Sequence, residues 1–181
     1  MSRTNDEKGR GKPRNSDEWI ERNQPTNGLF KVYWKDVIAD NDGGVTLNPD
    51  EGEGLRWEWY YKDGKHANGI SKGWWPNGNL KHTKTWKDGI SNGLSIFWFK
   101  TGQKKYEETF KDGIFDGERT YWYENGEKWF EESYKDGERD GLQIEWYENG
   151  QKKYEETYKS GKRIGLWTDW DENGKKRSEE P

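Results

Sequence analysis

Five glycines spaced 24 residues apart, Gly69, Gly93, Gly117, Gly141 and Gly165, restrict this chain to a small set of folds. Five residues after each stands a tryptophan (Trp74, Trp98, Trp122, Trp146, Trp170), and nine residues after each a second glycine (Gly78, Gly102, Gly126, Gly150, Gly174). An aromatic (Trp86, Phe110, Tyr134, Tyr158) and a third glycine (Gly89, Gly113, Gly137, Gly161) follow. A fixed period with fixed punctuation marks a repeat architecture, in which each unit hides its apolar face only by stacking on its neighbours.

The punctuation identifies the unit. Asn-Gly recurs at 77–78, 125–126, 149–150 and 173–174, at 125–126 between the runs TYWY and EKWF, and such a pair between aromatic runs is the strongest local hairpin signal. Asp-Gly at 88–89, 112–113 and 136–137 makes the second turn by the same chemistry. Each unit is thus two strands and two turns, and the chain is expected to be all-β, an elongated single-layer antiparallel meander of stacked hairpins. If Glu124, Asn125 and Gly126 close a three-residue loop with a glycine bulge, Trp122 lies opposite Lys128 and Thr120 opposite Phe130. Trp122, Thr120, Phe130 and Tyr134 then share a face. A two-residue loop would instead set the Trp column against the Lys and Glu columns; the three-residue loop is preferred.

Composition explains why rings matter. Only 28% of the 181 residues are hydrophobic and 36% are charged, too little aliphatic material for an ordinary core. The chain has 13 Trp, 10 Tyr and 6 Phe instead, and ring pairs across strands contribute roughly 0.2–1 kcal/mol each. The Trp column is therefore read as scaffold. A formal net charge of −4 with interspersed signs argues against nucleic acid as partner. With no cysteine there are no disulfides or thiolate metal sites. No run approaches the roughly 18 apolar residues of a membrane span, and the first 18 residues lack the apolar segment of a secretory signal, so a cytoplasmic protein is expected.

In chain order, residues 1–27 read as a disordered polar tail. Residues 28–68 read as a degenerate first repeat with an insertion at 36–54. Within that insertion, 40–44 resembles a calcium loop but fails the ligand pattern. Residues 69–181 hold five regular repeats, the last truncated. The second strand of the later units repeats Lys104-Lys105-Tyr106-Glu107-Glu108 as Lys128-Trp129-Phe130-Glu131-Glu132 and Lys152-Lys153-Tyr154-Glu155-Glu156, which predicts a basic and an acidic stripe along the sheet. Equivalent strands about 10 Å apart keep repulsion within a stripe tolerable.

Paired carboxylates invite a catalytic reading. Neighbours on a strand point to opposite faces, so Glu107 and Glu108 do not converge, and their recurrence in successive units is unlike a catalytic centre. His66 and His82 suggest no ligand set, and neither a phosphate-cradling glycine loop nor a Ser/His/Asp arrangement stands out. The chain is read as no enzyme, without cofactor or metal.

At these residues a family becomes recognisable. The pattern G-L-x-x-x-W-Y-E-N-G-Q-K-K-x-E-x-x-Y-K-x-G-K over 141–162 resembles the MORN-repeat variant of bacterial proteins, and the whole chain resembles the YwqK-family antitoxins, which are largely arrays of this unit. The resemblance covers 69–176 well and 28–68 poorly. It implies a ladder of hairpins with a protein-binding role, in its most concrete form the neutralisation of a toxin. Glu108, Glu132 and Glu156 stand where such repeats often have a small residue, so a bulge is expected there.

In a repeat array the residues that break the pattern are the informative ones. The face opposite the Trp column is expected to carry Phe97, Phe99, Tyr121, Tyr123, Trp129 and Tyr147, turning acidic at Glu145, Asp169 and Asp171. Exposed rings beside carboxylates suit protein recognition and favour a basic partner, such as a basic-surfaced toxin. The plainer alternative is that these rings stiffen a thin sheet that must protect both faces. Competing functions are peripheral membrane association, disfavoured by the acidic balance, and carbohydrate binding through stacked rings. Open sheet edges offer a route to self-association, with Lys175, Lys176 and Arg177 placed to cap one of them.

Overall fold

The Asp-Gly turn is the tightest element of each unit. Asp88, Asp112 and Asp136 have φ of 52°, 50° and 49°, and Gly89, Gly113 and Gly137 follow at 81°, 87° and 87°. Two successive positive φ values make a type I′ turn, whose twist matches that of the strands it joins. Lys87 accordingly pairs with Ile90, Lys111 with Ile114 and Lys135 with Glu138. Ser160 and Gly161 make the equivalent turn between Lys159 and Lys162.

The Asn-Gly turn is wider. The Tyr123 N–H donates to the Glu127 carbonyl at 2.9 Å and the Gly126 N–H to the Tyr123 carbonyl at 3.0 Å, enclosing Glu124, Asn125 and Gly126 as a three-residue loop. Only the glycine has positive φ, 93°. Asn125 acts through its side chain: Oδ1 accepts the Glu127 N–H at 2.9 Å, and Nδ2 donates to the Glu148 carbonyl of the next unit at 2.9 Å.

The structure, a computed structural model, describes residues 27–33, 38–39, 45–46, 55–63 and 65–180. Its strands are β1 (Gly28–Tyr33), β2 (Ile38–Ala39), β3 (Val45–Thr46), β4 (Leu55–Lys62), β5 (Lys65–His66), β6 (Gly69–Trp74), β7 (Leu80–Lys87), β8 (Ile90–Trp98), β9 (Lys104–Lys111), β10 (Ile114–Trp122), β11 (Lys128–Lys135), β12 (Glu138–Trp146), β13 (Lys152–Lys159), β14 (Lys162–Trp170) and β15 (Lys176–Glu180). One 13-stranded sheet runs β1, β4, then β6 to β15 in sequence order, with β5 paired to β4; β2 and β3 form a separate hairpin inside the insertion. All pairings are antiparallel, so the chain is an open meander of consecutive hairpins, as the glycine period predicts. The expected polar tail, except Asn27, and the calcium-like loop lie outside the described residues.

The register corrects one expectation. Trp122 does pair with Lys128, but Thr120 pairs with Glu131, not Phe130, because the register shifts between Tyr121 and Trp122. Trp129 is the extra residue of a bulge, and Phe130 pairs with Tyr121. A bulge sets two residues of one strand against one of its partner and reverses the alternation beyond it. Phe130 and Tyr134 therefore lie on the face opposite Trp122. The same shift recurs beside Trp74, Trp98, Trp146 and Trp170.

A second irregularity belongs to the opening glycines. Where β11 meets β12, Glu132 pairs with Gln143 and Tyr134 with Arg139, so residues 140–142 stand against Ser133 alone. Gly141, at the apex, has φ of 128°, and a Cβ there would come 2.9 Å from the Ser133 Cβ. Gly117 sits against Thr109 in the same way at 3.0 Å. These positions need glycine for both conformation and space. The bulge expected at Glu108, Glu132 and Glu156 thus falls on the facing strand.

Among the described residues no second layer covers the sheet. Among the described residues Trp59 and Ile144 are the only large apolar side chains that are fully buried. On the Trp face, Lys104 lies 2.7 Å from Glu107 and its Nζ sits 5.3 Å from the Trp122 ring of the next unit. Lys128 repeats this with Glu131 and Trp146, and Lys152 with Glu155 and Trp170. The two charge stripes thus neutralise each other strand by strand.

Candidate protein-docking face

The face opposite the Trp column is built from three rows of cross-strand partners. One row runs His82, Phe97, Tyr106, Tyr121, Phe130, Glu145, Tyr154, Asp169. Its ring centroids are spaced 5.9 Å (His82–Phe97), 5.2 Å (Phe97–Tyr106), 5.6 Å (Tyr106–Tyr121) and 6.2 Å (Tyr121–Phe130). Pairs at such spacing add about 0.5–1.5 kcal/mol each beyond the area they bury. The row ends as a ring stack at Glu145.

The neighbouring row is polar: Ser71, Lys84, Ser95, Glu108, Arg119, Glu132, Gln143, Glu156. At its centre Arg119 donates through Nη2 to Glu108 Oε1 and through Nη1 to Glu132 Oε1, both at 2.9 Å. Its guanidinium also lies 4.0 Å from the Phe115 ring centroid. Glu132 is only 3% exposed, and Arg139 Nε supplies a second positive charge 3.2 Å from its Oε2. The Tyr121 hydroxyl donates to Glu108 at 2.9 Å; burial, then that carboxylate, pushes its pKa up to about 12. Tyr121 is thus fixed as a neutral donor and its ring is held in place. In the third row Phe110 pairs with Phe115 and Tyr134 with Arg139, while Phe110, Tyr134 and Tyr158 pair on their other side with the opening glycines Gly93, Gly117 and Gly141; the Phe115 and Tyr134 rings meet at 5.4 Å.

Of the residues expected on this face, Phe97, Tyr121, Glu145 and Asp169 lie in the ring row itself. Trp129 joins them because the bulge turns it beside Phe130. It is 44% exposed, and its ring meets Tyr121 edge-on at 6.0 Å and Tyr123 at 6.1 Å. Tyr121, Trp129, Phe130, Glu132 and Glu145 line one shallow depression. Lys153 holds Glu145 at 2.7 Å on the far side.

The others serve the scaffold as well. Tyr123 and Tyr147 donate their hydroxyls to the Trp146 and Trp170 carbonyls of the following units at 2.9 and 3.0 Å. Phe99, in the same column, takes Lys105 over its ring at 5.5 Å. Asp171 Oδ1 accepts the N–H groups of Asn173 and Lys175, both at 3.0 Å, and so caps a turn. Asp169 and Asp171 do not line the depression. Sequence reasoning missed Arg119 and Phe130. Arg119 was findable as the one cation in a column that reads Ser71, Ser95, Arg119, Gln143 and Trp167. Phe130 was hidden by the bulge.

The profile of one family, described as the MORN repeat variant, matches residues 67–88, 91–112, 115–136, 139–160 and 163–181, more than half of the chain. A search of curated proteins gave no match.

Proposed function

Because the chain belongs to the MORN repeat variant family, whose units are generally protein- or membrane-binding modules, we propose that its ring-bearing face docks another protein. The role is non-enzymatic and cytoplasmic, and its most concrete form is the neutralisation of a basic-surfaced bacterial toxin. The observation that carries this reading is the depression of Tyr121, Trp129, Phe130, Glu132 and Glu145, in which an indole is left 44% exposed. Exposed rings surrounded by better-packed neighbours are the usual anchors of protein interfaces, and carboxylates at the rim favour a basic partner.

The Trp face fits an anionic membrane poorly. Its lysines at 104, 128 and 152 are each paired with a glutamate of the same strand, which leaves little net charge for lipid headgroups.

Coexpression with the product of the adjacent gene tests the proposal. The two products should co-purify, toxicity should be relieved, and Trp129→Ala should abolish both. Failure to co-purify with or protect against any adjacent product counts against the docking role.

A further inference from the structure

One column of the repeat carries a cation in every regular unit except the central one. Three residues after the second glycine stand Lys81, Lys105, Trp129, Lys153 and Arg177. The bulge turns this column onto the ring face, and its lysines behave alike. Lys81 Nζ lies 4.8 Å from the Trp75 ring centroid, Lys105 Nζ 5.5 Å from that of Phe99 and Lys153 Nζ 5.9 Å from that of Tyr147. All three are within the roughly 6 Å reach of a cation–π contact. Each of these units thus supplies its own ammonium to the ring at the end of its first strand.

In the central unit the column holds Trp129, and the corresponding ring, Tyr123, meets an indole. The depression beside it has walls of Tyr121, Trp129 and Phe130, with Glu132 and Glu145 as its carboxylates. Glu132 is occupied by Arg119 and Arg139. Among the described residues Glu145, its side chain 18% exposed, is paired with one cation, Lys153, whose own side chain is 41% exposed, so the pair is open to water on the lysine side and screened there. Glu145 can therefore exchange or share its cation at little cost.

We propose that this depression binds the ammonium of a lysine on the partner protein, in the place that the other units fill with a lysine of their own. Tyr121, Trp129 and Phe130 form its aromatic wall and Glu145 is its counter-ion. The proposal rests on the docking role of this face and adds the chemistry of the group it receives.

The test is a titration of the full chain with two capped peptides, glycine alternating with lysine and glycine alternating with norleucine, which has a neutral side chain of similar length. The Trp129 indole N–H, assigned by its loss in Trp129→Phe, is followed by NMR. The lysine peptide should shift this signal and bind at least tenfold more tightly than the norleucine peptide. Trp129→Lys, which restores the missing ammonium and is titrated by calorimetry beside the parent because it lacks the indole signal, should weaken binding at least tenfold with the circular-dichroism spectrum unchanged. Glu145→Gln should weaken it severalfold and is informative even if Trp129→Lys folds poorly. Equal binding of the two peptides, or wild-type binding by Glu145→Gln, overturns the proposal. A partner that co-purifies through this face while the lysine peptide leaves Trp129 unshifted sinks the ammonium site and leaves the docking role standing.

Discussion

Arg119 donates to Glu132 across the β10–β11 pair, Nη1 to Oε1 at 2.9 Å, while its Nη2 reaches Glu108 on the other side. The contact is worth more by its absence than by its presence. Replacing Arg119 with methionine leaves Glu132, 3% exposed, as a buried charge with Arg139 as its remaining neighbour. Removing one partner of a buried pair typically costs 3–5 kcal/mol, so a loss of about 3 kcal/mol is expected in urea unfolding. Adding Glu132→Gln to Arg119→Met should recover part of it.

Gly141 and Gly165 occupy equivalent positions and should respond unequally to alanine. Gly141 has φ of 128° and its added Cβ meets Ser133 at 2.9 Å, whereas Gly165 has φ of 71° and open space around it. Gly141→Ala should cost about 2–3 kcal/mol and Gly165→Ala about 1 kcal/mol. Equal unfolding midpoints for the two would show that the close approach to Ser133 is not a constraint.

His82 gives the fold a pH dependence. Burial first, then the charges of Lys81 and Lys84, lower its pKa from 6.5 to about 4. The unfolded chain therefore binds a proton between those values that the folded chain refuses, so this group's share of stability is full above pH 6.5. It falls as the pH drops toward 4 and is level below that. The expected loss over the window is of order 2–3 kcal/mol. Urea midpoints at pH 7 and pH 4.5 should converge in His82→Gln and differ in the parent.

Tyr123 and Trp129 touch each other and should separate cleanly on substitution. Tyr123→Phe keeps the ring and loses only the hydroxyl bond to the Trp146 carbonyl, so stability should drop by about 1 kcal/mol with docking unchanged. Trp129→Ala should leave the unfolding midpoint nearly in place and abolish co-purification with the partner. The reverse pattern would make Trp129 a scaffold residue.

Turn chemistry made the meander legible, because the conformational demands of Asp-Gly and Asn-Gly are local and unaffected by the rest of the sheet. Register was legible at Trp122 and Lys128 and lost one residue further on. The period-2 rule carries no sign of an extra residue, and Trp129 occupies that place. As a consequence Phe130 and Tyr134 were assigned to the wrong face, and the ring row was missed as a continuous stack. Arg119 escaped for another reason. A charged side chain between glutamates resembles a solvated surface until the pairing places all three in one row.

The contacts between units have a direction. Along the Asn-Gly margin Asn125 and Tyr123 donate forward, to Glu148 and Trp146. Along the Asp-Gly margin Gly137 and Gly161 donate backward, to Phe115 and Arg139. As the polypeptide leaves the ribosome, each hairpin can fasten its rear margin at once on the hairpin already made, while its forward margin stays unlatched until the next one emerges. Each unit made during synthesis thus finds partners on the one before it, so the ladder can lengthen by one hairpin per 24 residues.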